Sequence, residues 1–599
     1  MISDKIKVAV LDSGLDPSSY VGKEMGFSGG LEIYLDENNN VAYRYDAVDD
    51  IGHGTAVASV INSICSDVEI IPIKIVRNGI ANGTEVLVAA LEYLYDSKCC
   101  NIINISAGII ACDNIGRLYS ICQKLMNAGV IIVAAFDSDG AVSYPSAFDC
   151  VIGVDGSQAE RNIKGYWKCG TGTSNYIKSM REKRLPWLGN TMKTVSGTSF
   201  LAPEFSAMIA KMLMKKPLSF AEVKKALDEQ ASGEIDELTL PEQKFDLDIK
   251  KAIVFPFNKE MHSLARYEDM LQFQIMGFYD TKYSGQVGCS VNILQKTDSK
   301  NNHTIQNIDK LDWDADFDTV ILGHTSLLSN AIGRDYEAEI IHNCECYNKK
   351  LFSCRDIRDI NPNIHYCSPH VDAFQNKGIK RMHVFGCPVL GVVGTGTKQG
   401  KFSLQLSLRR EFIEQGYTVG QLGTEPTAQL FGMDAVYPMG HESAVNVKGF
   451  DAVFAVNQLM SHIEKKNPDI ILFGSQSHTV VFVPGGPAYY PVCQQELLMG
   501  CQADAYILVV CVDNPIPYIR RNIAYLESIL NAKVLALAVS PLSNNDRWSS
   551  LNNKLELISK DIQDDFCNEL YNEFGIPALS LQKKAEIKKI ADLCIDYFS

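Results

Sequence analysis

The sequence lacks any stretch that a membrane helix needs. No apolar run reaches the roughly 18–20 residues required to cross a bilayer. The most apolar segments, Val130 to Phe136 and Tyr506 to Val512, have the length of buried strands. Positive charge is also in deficit: 56 Lys and Arg stand against 71 Asp and Glu, a formal net charge of −15. A nucleic-acid backbone is gripped by clustered cations, so this balance argues against it as a partner. There are 18 cysteines but no CxxC pair, and they are scattered from Cys65 to Cys594. A disulfide-dense secreted domain clusters its cysteines in a far shorter chain. Cys99-Cys100 and Cys344-Glu-Cys346 are the tightest groupings, and reduced cytosolic thiols are the simpler reading of both. A basic-then-apolar leader is missing too, because Met1 to Lys7 runs straight into Val8-Ala-Val-Leu11. The expectation is a cytoplasmic protein that binds neither membrane nor nucleic acid.

What is present is a chain of 599 residues, 46% hydrophobic and 21% charged. That is a globular composition, in a chain too long for one core. Up to about residue 230, short β-branched runs (Lys7–Leu11, Val68–Ile75, Ile102–Ile105, Val130–Ala135, Val151–Val154) alternate with segments of helical periodicity. This predicts an α/β domain with a mostly parallel sheet. Residues 233–250 are polar and acidic and read as a linker. From Ala252 the pattern restarts. Ala252–Phe255, Thr319–Leu322 and Glu339–Ile341 read as strands of a small Rossmann-like unit, residues 251–385. Val389–Val393, Thr418–Leu422, Asp469–Phe473, Tyr506–Val512 and Val534–Val539 read as the sheet of a further α/β domain, residues 386–599.

Three motifs carry chemistry in residues 1–232. A strand ends in Asp12-Ser-Gly14, Asp50-Ile-Gly-His53-Gly-Thr55 opens a helix of small residues, and Ser196-Gly-Thr-Ser199-Phe-Leu-Ala-Pro203 opens another. Singly, each is an ordinary cap or turn. In the order Asp, His, Ser they resemble the blocks of the subtilisin family of serine peptidases over roughly residues 5–215. Asn104-Ile-Ser106-Ala107-Gly108 resembles the family's substrate-cleft strand, and Ala134 to Gly140 its oxyanion loop. The resemblance implies that His53 takes the Ser199 proton while Asp12 orients the imidazole. It implies a peptide or protein substrate bound along Ser106, Ala107 and Gly108, with no cofactor needed for proteolysis. Ser138 stands where the family has an oxyanion-donating asparagine, which implies slow or highly selective turnover. Only eleven residues precede Asp12. In this the sequence resembles intracellular subtilisins that lack a pro-segment, among them leader peptidases of ribosomally made peptide natural products.

In the second half, Gly394-Thr-Gly396-Thr-Lys-Gln-Gly400-Lys401-Phe-Ser403 follows a strand and opens a helix, the setting of a phosphate-cradling loop. Its spacing departs from GxxxxGK[ST] by one residue, and Phe402 separates Lys401 from Ser403. The loop resembles dethiobiotin-synthetase-like P-loop proteins, especially a group that includes D-glutamate N-acetyltransferase. That implies ATP or GTP with Mg at Gly394, Gly396, Gly400, Lys401 and Ser403. Phe473 stands where an acid would hold the metal, so hydrolysis is not expected. Ala252 to Glu260, with Tyr267 to Asp280, resembles peptide maturation system proteins of clostridial natural-product clusters. The expected function is cleavage of a precursor peptide alongside modifying-enzyme partners. The alternatives are a regulatory protease gated by nucleotide and a non-catalytic peptide-binding scaffold. His365, Cys367 and His370 match no common metal-ligand spacing and read as loop residues.

Overall fold

The computed structural model describes the chain except residues 1–4, 20–26, 28, 78–79, 82, 107, 111–113, 140, 157–163, 171–174, 293–301, 376–377, 441, 483–490 and 544–555. The chain divides into two compact units. The first is Met1–Leu238 together with Asn376–Met382, and the second is Thr239–Gln375 with His383–Ser599.

Unit 1 is built on a ten-stranded sheet. In chain order its strands are β1 (Lys7–Asp12), β2 (Leu31–Leu35), β3 (Val41–Arg44), β4 (Glu69–Lys74), β5 (Ile102–Ile105), β6 (Ile131–Ala135), β7 (Ile152–Asp155), β8 (Trp167–Cys169), β9 (Asn175–Ile177) and, after the hairpin β10 (Lys183–Pro186) and β11 (Met192–Val195), β12 (Gly233–Ile235). Their spatial order is β12-β8-β9-β7-β6-β5-β1-β4-β2-β3, parallel from β9 through β2. The central strands are β-branched and buried along their length, as strands covered on both faces must be. One face is covered by α1 (His53–Ile64) and α4 (Ala202–Lys215), the other by α2 (Gly83–Ser97) and α3 (Ile115–Asn127).

The linker expected at 233–250 has more structure than its polar composition suggests. Gly233–Ile235 pairs with β8 as an edge strand, the chain divides at Leu238, and Leu247 and Ile249 are buried in unit 2. A short stretch from far downstream completes unit 1. Ile379 bridges to Glu237 and is fully buried against Cys169 and Ile177. Arg381 lays its guanidinium 4.0 Å from the Phe136 ring centroid, 3.7 Å from Asp155 and 3.6 Å from Glu237.

Unit 2 contains two larger sheets, each parallel throughout, besides the short antiparallel pair of Leu542–Ser543 with Glu556–Leu557. The first has the order β15-β14-β13-β16-β17-β18, from β13 (Lys251–Phe255), β14 (Gln274–Asp280), β15 (Gln306–Asn307), β16 (Thr319–Leu322), β17 (Lys350–Ser353) and β18 (Tyr366–Cys367). The second has the order β21-β20-β22-β19-β23-β24-β25, from β19 (Val389–Gly394), β20 (Val419–Gly423), β21 (Ala435–Val436), β22 (Ile470–Gly474), β23 (Ala505–Val510), β24 (Lys533–Val539) and β25 (Ala578–Ser580). One expected strand is a correction. Glu339–Ile341 lies inside the helix α5 (Tyr336–Cys346), capped by the Asp335 carboxylate, with Tyr336, Ile340, Ile341 and Cys344 on its buried face. Residues three and four apart share a helix face, and that periodicity outweighs the local apolar pair.

Candidate active site

Two glycines set the approach of the first two site residues. Gly14 follows β1 at φ +108°, and Gly54 is in the first turn of α1. A Cβ on Gly54 would sit 2.2 Å from the Gly14 carbonyl oxygen, so the loop after β1 and the start of α1 touch backbone to backbone. This brings Asp12, only 2% exposed, against His53. Nδ1 of His53 lies 2.8 Å from Asp12 Oδ1 and 3.0 Å from Oδ2. On the other side of the ring, Nε2 is 3.1 Å from Ser199 Oγ. Ser199 sits in the 3₁₀ turn Thr198–Phe200 that leads into α4, and the Phe200 ring packs 4.9 Å from the imidazole. Burial pushes the His53 pKa down, but the charge of Asp12, its hydrogen bond and the charge of Asp49 outweigh that, so the net shift is upward. The constellation is a hydroxyl, a base in reach of it, and a carboxylate orienting the base.

A residue absent from the sequence reading organises this geometry. Asp49, buried, accepts hydrogen bonds from Ser13 Oγ (2.8 Å), Ile51 N (2.9 Å), Gly52 N (2.8 Å), Thr55 N (2.9 Å) and Thr55 Oγ1 (2.7 Å). Ser13 Oγ in turn accepts the Gly54 N–H at 2.8 Å. One carboxylate thereby ties the loop after Asp12 to the turn that presents His53. The only signal in the sequence was its place next to Asp50-Ile-Gly-His53. Replacing Asp49 by Ala strands several buried donors, each costing about 1–3 kcal/mol. The variant is expected to lose about 2–4 kcal/mol of stability in denaturant melts and to cleave at least ten-fold more slowly.

Ser138 flanks the same turn. A Cβ on Gly197 would lie 3.3 Å from Ser138 Oγ and 3.4 Å from Ser199 Oγ. Ser138 Oγ accepts the Thr198 N–H at 3.2 Å and is 2.9 Å from Thr198 Oγ1, which itself donates to the Phe136 carbonyl at 2.5 Å. With the Thr198 proton spent on Phe136, the Ser138 proton points at Thr198. To serve an oxyanion it must turn away.

Asn104, fully buried at the end of β5, donates to Ser106 Oγ (2.9 Å) and accepts from Ser206 of α4 (2.9 Å), which fixes the loop carrying Ser106 and Gly108. Ala107 lies outside the described residues. Beside His53, Trp187 packs on Gly52 and carries Lys193 over its ring at 4.5 Å.

In unit 2 Gly394 ends β19, and the loop after it contains Gly396 and Gly400, the latter at φ +90°, and leads into α6 (Lys401–Glu414). Lys401 is 7% exposed and donates to the Gly396 carbonyl at 2.5 Å. Burial pushes its amine down to about 8 against the opposing pull of Glu425. Phe402 turns into the core beside Phe431, and the Ser403 carbonyl accepts from the Tyr267 hydroxyl at 3.4 Å. Phe473 is fully buried, packed against Tyr506. Among the described residues no three His, Cys, Asp or Glu side chains are grouped to hold a metal. Cys367 contacts Gln429 instead, and His370 the Ser368 carbonyl. No helix among the described residues is long and apolar enough to cross a membrane.

Comparison with known proteins finds two families along the chain. The Subtilase family model matches residues 3–246, and the model of the DUF1611_C P-loop domain, a domain of unknown function, matches residues 377–589. Two Bacillus subtilis (strain 168) proteins are similar to the first part. They are the minor extracellular protease Epr, 26% identical over 35% of this chain and 32% of its own length, and the cell wall-associated protease, 26% identical over 35% and 24%. The chain therefore spans a third or less of the curated relatives it matches. The crystal structure of a DUF1611 family protein from Anabaena variabilis aligns at 17% identity over 58% of this chain and all of that one, with a TM-score of 0.43. The chain carries a Subtilase domain followed by a DUF1611 P-loop domain.

Proposed function

We propose that unit 1 is a serine endopeptidase and that its substrate is a precursor peptide, cleaved during maturation of a ribosomally made peptide natural product. The observation that carries the catalytic part is the unbroken Asp12–His53–Ser199 relay, with distances of 2.8 Å and 3.1 Å. Ser199 attacks the scissile carbonyl as His53 Nε2 takes its proton. The imidazolium is held by Asp12 and returns the proton to the leaving amine. The amino-terminal turn of α4 lies beside the developing oxyanion, and Ser138 would have to swing its hydroxyl from Thr198 to donate to it. The maturation role rests on the resemblance of Ala252 to Glu260 to peptide maturation proteins and on a site whose oxyanion donor is not pre-set, which favours a narrow substrate range. A cytoplasmic setting fits the described cysteines, all of them free thiols. Fluorophosphonate labelling of the full chain, followed by mass mapping, tests the peptidase reading. Labelling confined to Ser199 supports it, and an unlabelled protein favours the scaffold.

Ser138→Asn supplies an amide in place of a hydroxyl already committed to Thr198. Since one such donor is worth about 10²–10³ in turnover, kcat on a cleaved peptide is expected to rise ten-fold or more with little change in KM. Steady-state kinetics of the two proteins decide it.

For unit 2 the proposal is nucleotide binding without brisk hydrolysis. The loop from Gly394 to Gly400 and buried Lys401 suit a phosphate, which would compensate an amine answered, among the described residues, by the Gly396 carbonyl and the charge of Glu425. Ser403 is the candidate Mg ligand, and ATP or GTP is the expected ligand.

A further inference from the structure

Outside the peptidase site, polar side chains also converge at the strand ends of unit 2. Strands from both sheets of unit 2 end there. The loop after β13 brings Asn258, Lys259 and Glu260, and the loop after β16 brings His324. Those after β19, β20 and β22 bring Thr395 to Gly400, Thr424 to Thr427, and Ser475 with Gln476. Ligands of open parallel sheets bind outside the carboxyl ends of the strands. Here two sheets present those ends to one another. Leu406, Ala428 and Phe431 from the second sheet's side pack in one core with Ala252, Phe257 and Phe352 of the first. Side-chain contacts that cross the seam include Tyr267 to Ser403, Cys367 to Gln429 and the Arg410–Asp269 ion pair.

Two buried hydroxyls in these loops, Ser475 Oγ and Thr427 Oγ1, have no hydrogen-bond partner among the described residues. Both residues are more than nine-tenths buried, where an unmet hydroxyl is a cost that a bound ligand would remove. The charges around them are mixed, Lys259, Lys398 and Lys401 against Glu260 and Glu425. Burial and the nearby charge of Lys259 both push the Lys398 amine down, and Lys398 holds φ +58° in the glycine-rich loop. Lys259 comes from the other sheet and is exposed, but its backbone is pinned on both sides. Glu260 is hydrogen-bonded to His324 Nδ1 at 2.9 Å, both side chains under 9% exposed, and the Glu260 N–H donates to Asn258 Oδ1 at 3.1 Å. Burial pushes the Glu425 carboxyl toward its neutral form, which weakens its repulsion of an entering anion.

We propose that the strand ends of the two sheets form a single site for a ligand bearing a diphosphate, one phosphate seated on the Gly394–Gly400 loop with Lys401 and the next held between Lys398 and Lys259. This rests on the phosphate-binding reading of the loop and adds to it the cation supplied by the other sheet. Two phosphates fit better than one because the cations lie in two groups, Lys401 beneath the loop and the Lys398–Lys259 pair at its rim.

Calorimetry on the full chain with Mg-ADP, inorganic pyrophosphate and AMP separates the two readings. The wild type should bind ADP and pyrophosphate at least ten-fold more tightly than AMP. Lys259→Ala should weaken ADP and pyrophosphate ten-fold or more and leave AMP within two-fold, and Lys259→Arg should restore most of the loss. Lys401→Ala should weaken all three. Undiminished ADP binding by Lys259→Ala, or AMP bound as tightly as ADP, overturns the composite site while leaving the loop reading in place. A wild type that binds none of the three overturns both.

Discussion

Ser199→Ala will remove peptide-bond cleavage while the protein stays folded. The hydroxyl is 3.1 Å from His53 Nε2 and otherwise lies at the start of a helix whose core contacts come from Phe200, Leu201 and Ala202. Removing one oxygen from a partly exposed position leaves no cavity in that core. The chemistry loses its nucleophile outright, a loss on the order of 10⁵–10⁶ in turnover where triad members act as a unit. Thermal melts of the two proteins should superimpose. A mutant that cleaves its peptide at the wild-type rate would show that Ser199 is not the nucleophile.

Asp12→Asn should be almost as damaging, for a different reason. The amide keeps the shape but presents the wrong donor to Nδ1, so the imidazole loses both its tautomer and the charge that stabilises its protonated form. A loss of about 10⁴ in kcat is expected. The pH profile adds a test that a folding defect would not mimic. In the wild type the Asp12 and Asp49 charges hold the His53 pKa above its ordinary value against burial. Cleavage needs the neutral ring, so kcat/KM should rise with pH through a midpoint above 6.5. Without the Asp12 charge, burial dominates and the midpoint should move to lower pH, measurable on the residual activity. An unshifted midpoint would mean that another group titrates.

Asp12, His53 and Ser199 were legible because each lies in a short run whose neighbours must be small or glycine for the backbone to close up. Gly14 against Gly54 is the case in point. Asp49 was not legible, because an acid before a turn is common and its five hydrogen bonds come from residues on both sides of the loop. The parallel strands of the second half could be read where burial on both faces left a continuous apolar run, as in Tyr506 to Val510. Where the run was short, as at Ile340-Ile341, only the wider spacing of Tyr336 and Cys344 distinguishes helix from strand. Ser138 was read by alignment with a motif, but the direction of its proton depends on Thr198, sixty residues away.

Unit 1 is interrupted in sequence. Its last pieces, Ile379 and Arg381, follow about 140 residues that belong to the other unit. A ribosome adds roughly 5–20 residues per second. The segments bearing Asp12, His53 and Ser199 are therefore made some ten to thirty seconds before the segment that backs Phe136 exists. Through that interval the nascent chain has Asp12, His53 and Ser199 while the ring of Phe136, the residue whose backbone carbonyl anchors Thr198 beside Ser199, is still without its cation. The order of synthesis places the second unit's first sheet ahead of the closing of the first unit, so the two units are completed in an interleaved sequence rather than one after the other.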